Sequence, residues 1–338
     1  MRLTFASKAI IAAIILIGLY FGIRRFTATN PELAKTGRSA IDPVADTTSR
    51  SGDQGGSGSY DTPAQAGGAK PAFSYEAPAP VDGKLKGVVE LGASGFNSFI
   101  VRIDQNRTWK LEKADFGNSL VMENMATDDD IRKGLKAYIG QMLDFGVSGR
   151  DIHFVVSSGA LKAEVTGKIV KVLKAMGYVV NTVTPEKEGI LGLRSVLPAS
   201  FADRAFVADI GSGNTKISWL DGNQPKSVET FGAKYFEKGT ADATVAAEVK
   251  EKASQVPANL RGTCFIIGGV PFEMAKKVRK GKERYTVLDA PSAYQLDNAK
   301  SKAGLNIYKS IAEATGCKQF VFDWDANFTI GYLLTLPK

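Results

Sequence analysis

Two acidic residues, Glu90 and Asp209, sit in matching surroundings 119 positions apart. Glu90 lies in KGVVELGASG, residues 86–95, and Asp209 in VADIGSGNT, residues 207–215. Each acid ends an apolar run and is followed by one apolar residue, a glycine, a turn of small residues and a second apolar run. That order reads as a β-hairpin. Glycines in such a turn reach backbone angles closed to other residues, so its amides can face an anion. A carboxylate beside the turn is placed to hold a divalent cation on a phosphate. Taken singly, each stretch is more simply an ordinary glycine-rich hairpin with a solvated acid. The repetition points further, to a duplicated unit whose copies each open on a hairpin. If the copies face each other, Glu90 and Asp209 converge on one cleft.

The elements that must position these acids alternate between strand and helix. In the first copy the hairpin strand 96–103 is followed by a helix over 128–145 with acids at the positive end of its dipole. A buried strand at 154–157, a helix over 160–176 and a strand at 178–182 come next. TPEKEG, residues 184–189, opens another helix, with Thr184 as cap and Pro185 in the first turn. In the second copy a helix over 241–254 precedes a strand at 263–267. Gly268 and Gly269 then lead into a helix whose amino end suits a phosphate. A helix over 305–315 and a strand at 319–322 close the pattern. Strands alternating with helices in this way give mixed α/β sheets, here as two lobes around a central cleft. Glu188, by its local sequence alone, reads as an exposed helix glutamate beside Lys187.

With 338 residues the chain has room for two domains, and its 44% apolar content is that of an ordinary globular protein. The net charge of +8 is largely scattered Lys, with one local concentration at residues 276–284 (KKVRKGKER). That cluster suits an anionic ligand, an anionic membrane surface or a solvated helix end. No zinc-finger spacing or aromatic-basic motif accompanies it, so no nucleic-acid partner is expected. The single histidine, His153, excludes a multi-histidine metal site. Two cysteines, Cys264 and Cys317, form no disulfide framework. Residues 9–23 (AIIAAIILIGLYFGI) carry no charge and are bounded by Lys8 and by Arg24 and Arg25. Flanking cations extend so short a run to bilayer width, and no small-x-small cleavage motif follows it, so an uncleaved single-pass anchor is expected over residues 1–26. The short cationic stretch before it favours a globular part outside the cytoplasm, as in a periplasm. Residues 27–83, rich in Gly, Ser, Ala and Pro, read as a disordered linker.

With these segments placed, the chain resembles the exopolyphosphatase / guanosine-pentaphosphate phosphatase family of the actin, sugar-kinase and heat-shock-ATPase superfamily. The resemblance rests on an ordered set: Glu90-Leu91-Gly92 with its turn, VVSSGALK at 155–162, TPEKEG at 184–189, DIGSGNT at 209–215, TFGAKY at 230–235, IIGGV at 266–270 and DANFTIG at 325–331. It implies two ribonuclease-H-like lobes, residues 84–200 and 201–338. Carried over, Glu188 matches the family's catalytic glutamate, which activates the attacking water, and Asp209 matches the acid that orients it. Mg²⁺ is implied at Glu90 and Asp209. Phosphate contacts are implied at Gly92, Ala93, Ser94 and Gly95, at Ser158 and Lys162, at Gly211, Ser212, Gly213, Asn214 and Thr215, and at Gly268 and Gly269. Glu90 stands where the family has Asp, Lys162 where it has Arg, and Lys187 where it has Glu. The function this implies is a membrane-tethered phosphoanhydride hydrolase acting on polyphosphate or a guanosine polyphosphate. The alternative is a non-catalytic protein that keeps the fold and binds a phosphate-bearing ligand or docks a partner. A second copy of the chain stands as a further candidate partner.

Overall fold

In both copies the strand carrying the acid is central to its sheet and buried on both faces, and this decides what the remaining elements must cover. The computed structural model describes residues 73–92, 95–116, 128–161 and 164–337. Strands β1 (Lys84–Gly92), β2 (Gly95–Ile103) and β3 (Trp109–Phe116) form an antiparallel meander, and β4 (Ile152–Val156) and β5 (Val180–Thr182) join parallel, in the order β3-β2-β1-β4-β5. The second copy repeats this with β6 (Ala205–Ile210), β7 (Asn214–Asp221), β8 (Gln224–Phe231), β9 (Thr263–Ile267) and β11 (Phe320–Asp323), and β10 (Tyr285–Val287) adds an antiparallel edge. The expected duplication is thus a duplicated sheet topology. The third strand of each meander is absent from the sequence reading. Charges scattered through WKLEKADF and a proline near the start of QPKSVETF conceal them, and edge strands tolerate both.

The helices are α1 (Asp128–Asp144), α2 (Glu164–Ala175), α3 (Pro185–Val196), α4 (Asp242–Ala253), α5 (Gly269–Val278), α6 (Ala299–Thr315) and the short α7 (Phe328–Leu333). Thr184 caps α3 through its hydroxyl, which accepts from Lys187 N at 3.2 Å, as its sequence predicts. Helix α6 starts six residues earlier than its apolar period, because Asn298 caps it by accepting from Ser301 N at 2.8 Å. Among the described residues no helix is long and apolar enough to cross a membrane, and the run at 9–23 lies outside them. The last part of the expected linker is not loose: Phe73 packs against Phe201, Phe265 and Tyr285, and Val81 N donates to the Asp104 carboxylate at 3.1 Å.

Alternation along the central strands assigns each face. Val89 and Leu91 point to the core under α1 and α2, whereas Val88 and Glu90 face the other way, towards the second lobe. In β6, Phe206, Ala208 and Ile210 enter the core under α4, α5 and α6, so Val207 and Asp209 face the first lobe. Between the lobes lie α3 and α7, and they are exchanged. Helix α3, from the first copy, covers β6, β7 and β8, while α7, from the second, covers β1 through Phe328, Ile330 and Leu333. A boundary at residue 200 therefore divides the sequence repeat but not the packing. Arg284 adds a further cross-lobe contact, stacking on Trp109 at 4.1 Å while holding Asp323 through two 3.0 Å bonds.

The α3–α7 crossing admits no side chain at Gly331, where a Cβ would stand 1.9 Å from the Leu191 carbonyl oxygen. Gly331→Ala is expected to cost about 1–3 kcal/mol or more, and so to lower Tm by several degrees. Gly167→Ala, on an exposed face of α2 with nothing within 4 Å, is expected to leave Tm unchanged or slightly higher. Thermal melts of the two variants beside the parent check both.

Candidate active site between the lobes

Because both acids leave their sheets on the inter-lobe side, Glu90, Glu188 and Asp209 line one cleft of about 450 Å³. Glu188 rises from the first turn of α3 and is only 4% exposed, so it is not the solvated helix glutamate its local sequence permits. Its Oε2 accepts from Ser158 N at 2.7 Å and from Ser158 Oγ at 2.5 Å. Its Oε1 accepts from Nζ of Lys216, which is 3% exposed. This buried ion pair ties α3 to β7, and so joins the two copies of the repeat.

The two acid-bearing strands are equivalent in detail. Glu90 lies opposite Asn97 on β2, and Asp209 lies opposite Lys216 on β7, each pair facing across its hairpin. Glu90 Oε2 accepts from Asn97 Nδ2 and from Asn327 Nδ2, both at 2.9 Å, the latter from the cap of α7. Burial, only partly offset by these amides and reinforced by the Glu188 charge, pushes the Glu90 carboxyl up to about 7. Asp209 is also raised by burial, to about 6, with Lys216 pulling it down and Glu188 pushing it up. Among the described residues none donates a hydrogen bond to the Asp209 carboxylate.

The second glycine turn is tightly built. A Cβ at Gly213 would lie 3.2 Å from Gly159 Cα of the facing lobe, and one at Gly232 only 2.3 Å from Asn214 N. Gly268, at φ 111°, closes against the Ile210 carbonyl, where a Cβ would sit 2.3 Å away. Asn214 Nδ2 donates to Ser158 Oγ at 3.0 Å and to Glu229 Oε1 at 2.7 Å, a second polar link between lobes. Of the residues for which phosphate contacts are implied, Gly92, Gly211, Ser212, Gly213, Asn214, Gly268 and Gly269 line the cleft. Gly95 pairs with Gly92 at the end of the first hairpin. Ala93, Ser94 and Lys162 lie outside the described residues.

Two expected contacts are placed differently. Thr215 is fully buried on the face of β7 shared with Ile217 and Trp219, away from the cleft, because strand alternation sends Asn214 and Lys216 inward. Ser158 sits behind the cleft and serves Glu188. Unexpected from the sequence are Lys216, Asn97, Asn327 and an aromatic wall at the mouth: Phe272 meets Trp324 at 5.3 Å and Phe116 at 6.4 Å. Lys300 reaches the start of α5, its Nζ 3.8 Å from the Cβ position of Gly269. The sequence signal for Lys216 was available, since it follows Asp209 by the same seven positions that separate Asn97 from Glu90.

Glu90 and Asp209, the pair expected to share Mg²⁺, do not fit a divalent ion as arranged. Glu90 commits one oxygen to two amides, and Asp209 lies beside the Lys216 ammonium. Among the described residues no three Asp, Glu, His or Cys side chains are grouped to hold a metal.

Two lobes of this topology, with helices exchanged across the cleft, define an actin-like, ribonuclease-H-like fold. It is the fold of solved exopolyphosphatase-type structures. An exopolyphosphatase from Cytophaga hutchinsonii matches with a TM-score of 0.59 at 12% identity, over 75% of this chain and 97% of that one. The Aquifex aeolicus PPX-GPPA enzyme matches with a TM-score of 0.56 at 16% identity, over 75% of this chain and 100% of that one. A second structure of the Aquifex aeolicus Ppx/GppA family member gives 0.53 at 17% identity, covering 75% and 97%. At these identities the likeness shows the fold. No protein-family model and no curated protein matches the chain.

Two outcomes follow from the charges. Glu90 and Asp209 bind protons more tightly folded than unfolded, so their contribution to stability is full only below the ordinary carboxylate range and is lost progressively as pH rises from there through about 6 and 7. His153, lowered by burial, acts in the opposite direction, so the informative quantity is a difference. Urea denaturation of the parent and of Glu90→Gln at several pH values should show the variant gaining relative stability as pH rises from about 5 to 8. Lys216→Met leaves Glu188 charged and without its ammonium partner in a closed site, and should cost about 3–5 kcal/mol in the same experiment.

Proposed function

We propose that the cleft binds the phosphate end of a polyphosphate or phosphorylated nucleotide and hydrolyses its terminal phosphoanhydride. The observation that carries this reading is the convergence of Glu90, Glu188 and Asp209 on one cleft floored by the second glycine turn. The exopolyphosphatase-type fold supports a phosphatase-type hydrolase. In this reading Asp209 rather than Glu188 takes the proton. Glu188 has both oxygens engaged by Ser158 and Lys216, whereas the Asp209 carboxylate accepts no hydrogen bond among the described residues and is raised to about 6, which suits a general base. Water bound beside Asp209 loses a proton to its carboxylate and attacks the terminal phosphorus. The anhydride P–O bond breaks, and the shortened phosphate leaves with the electron pair. Glu188 holds α3 and β7 in register for this step. Turn amides and Lys300 offer the positive potential that a phosphate chain needs.

The membrane tether belongs to the same proposal and rests on the uncharged run at 9–23 with its flanking cations. It would place hydrolysis at a membrane surface, on the extracytoplasmic side. A second reading, binding without turnover, is favoured by the saturation of Glu188.

Phosphate release by the full chain from polyphosphate, guanosine pentaphosphate and ATP separates these readings. Asp209→Asn is expected to lower release by roughly 10²–10⁴-fold while the protein stays folded by circular dichroism. Ligand bound with no release from the parent chain would sink hydrolysis and leave the binding protein.

A further inference from the structure

Lys216 is a buried cation placed on the inner wall of the cleft. It sits on β7 directly across from Asp209, its ammonium on Glu188 Oε1, and it lines the same cleft as Glu90. The residue at the matching place in the first copy is Asn97, which is neutral. Three carboxylates turned into one closed hollow repel one another unless positive charge stands among them. Among the described residues, Lys216 is the buried cation bonded to one of them, Glu188, and its charge acts on a second, Asp209. An ammonium has three donors, and Glu188 accounts for one, which leaves two for ligand oxygens or water. A divalent ion between Glu188 and Asp209 would meet this fixed like charge at short range, with little water to screen it.

We propose that the Lys216 ammonium is a resident cation that occupies the place of a divalent metal between Glu188 and Asp209, so that the cleft engages a phosphate group without a metal ion. The metal-exclusion part stands on the cleft geometry alone, and the phosphate part rests on the function proposed above.

The test uses the full chain with Mn²⁺ alone as the metal probe, followed by electron paramagnetic resonance, and inorganic phosphate as the anion probe, followed by calorimetry. The parent chain should hold no Mn²⁺ in the cleft. Lys216→Ser, which removes the charge and opens space, should gain a Mn²⁺ site that Mg²⁺ competes for and that Asp209→Asn abolishes. Phosphate affinity of the parent should be the same in EDTA and in Mg²⁺. A Mn²⁺ site in the parent that is lost in Asp209→Asn overturns the proposal, as does a folded Lys216→Ser that gains none. If Lys216→Ser does not fold, the parent decides alone: a rise in phosphate affinity of about tenfold or more with Mg²⁺ overturns the proposal, and no rise upholds it. Failure of phosphate to bind under any condition would count against the proposed function and against metal-free phosphate binding. Metal exclusion would still be decided by the Mn²⁺ titrations.

Discussion

A buried ion pair, Lys216 with Glu188, is the constraint on which the rest of this structure depends. It joins a helix from the first copy to a strand from the second, in a space closed to solvent. Such a pair does little for stability when compared with apolar packing of equal volume, because both ions have been taken out of water. Its effect is on arrangement. Once Glu188 must meet Lys216, α3 has one position on the second sheet, and Ser158 is drawn onto the remaining carboxylate oxygen. Asn214 then closes the link by reaching Ser158 from the second glycine turn. Lys216, Glu188, Ser158, Asn214 and Glu229 are therefore joined in one connected polar network, and breaking a buried network of this kind is costly.

The duplicated topology makes the two halves look alike, yet their electrostatics differ at one position. Asn97 gives Glu90 two-centre hydrogen bonding together with Asn327 but no charge, and burial prevails, leaving that carboxyl near 7. Lys216 gives Asp209 a neighbouring cation, and the carboxyl remains nearer 6. Two acids that a sequence comparison would treat as a matched pair thus differ in their partners, two amides at Glu90 and a neighbouring cation at Asp209. That difference in partners supports separate roles for them, with Asp209, which accepts no hydrogen bond among the described residues, the stronger candidate to accept a proton.

Much of this was legible in the chain. The repeated acid, glycine turn and strand located both hairpins, and alternation from apolar neighbours would send Glu90 and Asp209 to the same side of their sheets. Thr184 and Pro185 marked the start of α3. The pairing of Glu188 with Lys216 was not legible, because it spans 28 positions and two lobes, and neither residue carries a local sign of burial. Strands β3 and β8 escaped because their polar edge positions break the apolar pattern. The exchange of α3 and α7 escaped because a duplicated sequence implies self-contained copies, whereas the packing requires each to cover the other's sheet. Thr215 was misplaced because a turn motif was extended two residues into a strand whose side chains alternate.

The most direct measurement is nuclear magnetic resonance of the lysine ammonium groups in ¹⁵N-lysine-labelled protein. One ammonium signal, absent from Lys216→Met, should persist at neutral pH, protected from exchange with water by burial and by its bond to Glu188. If every lysine ammonium instead exchanges as fast as those on the surface, Lys216 is not held in a closed ion pair, and the account of the cleft given above is wrong.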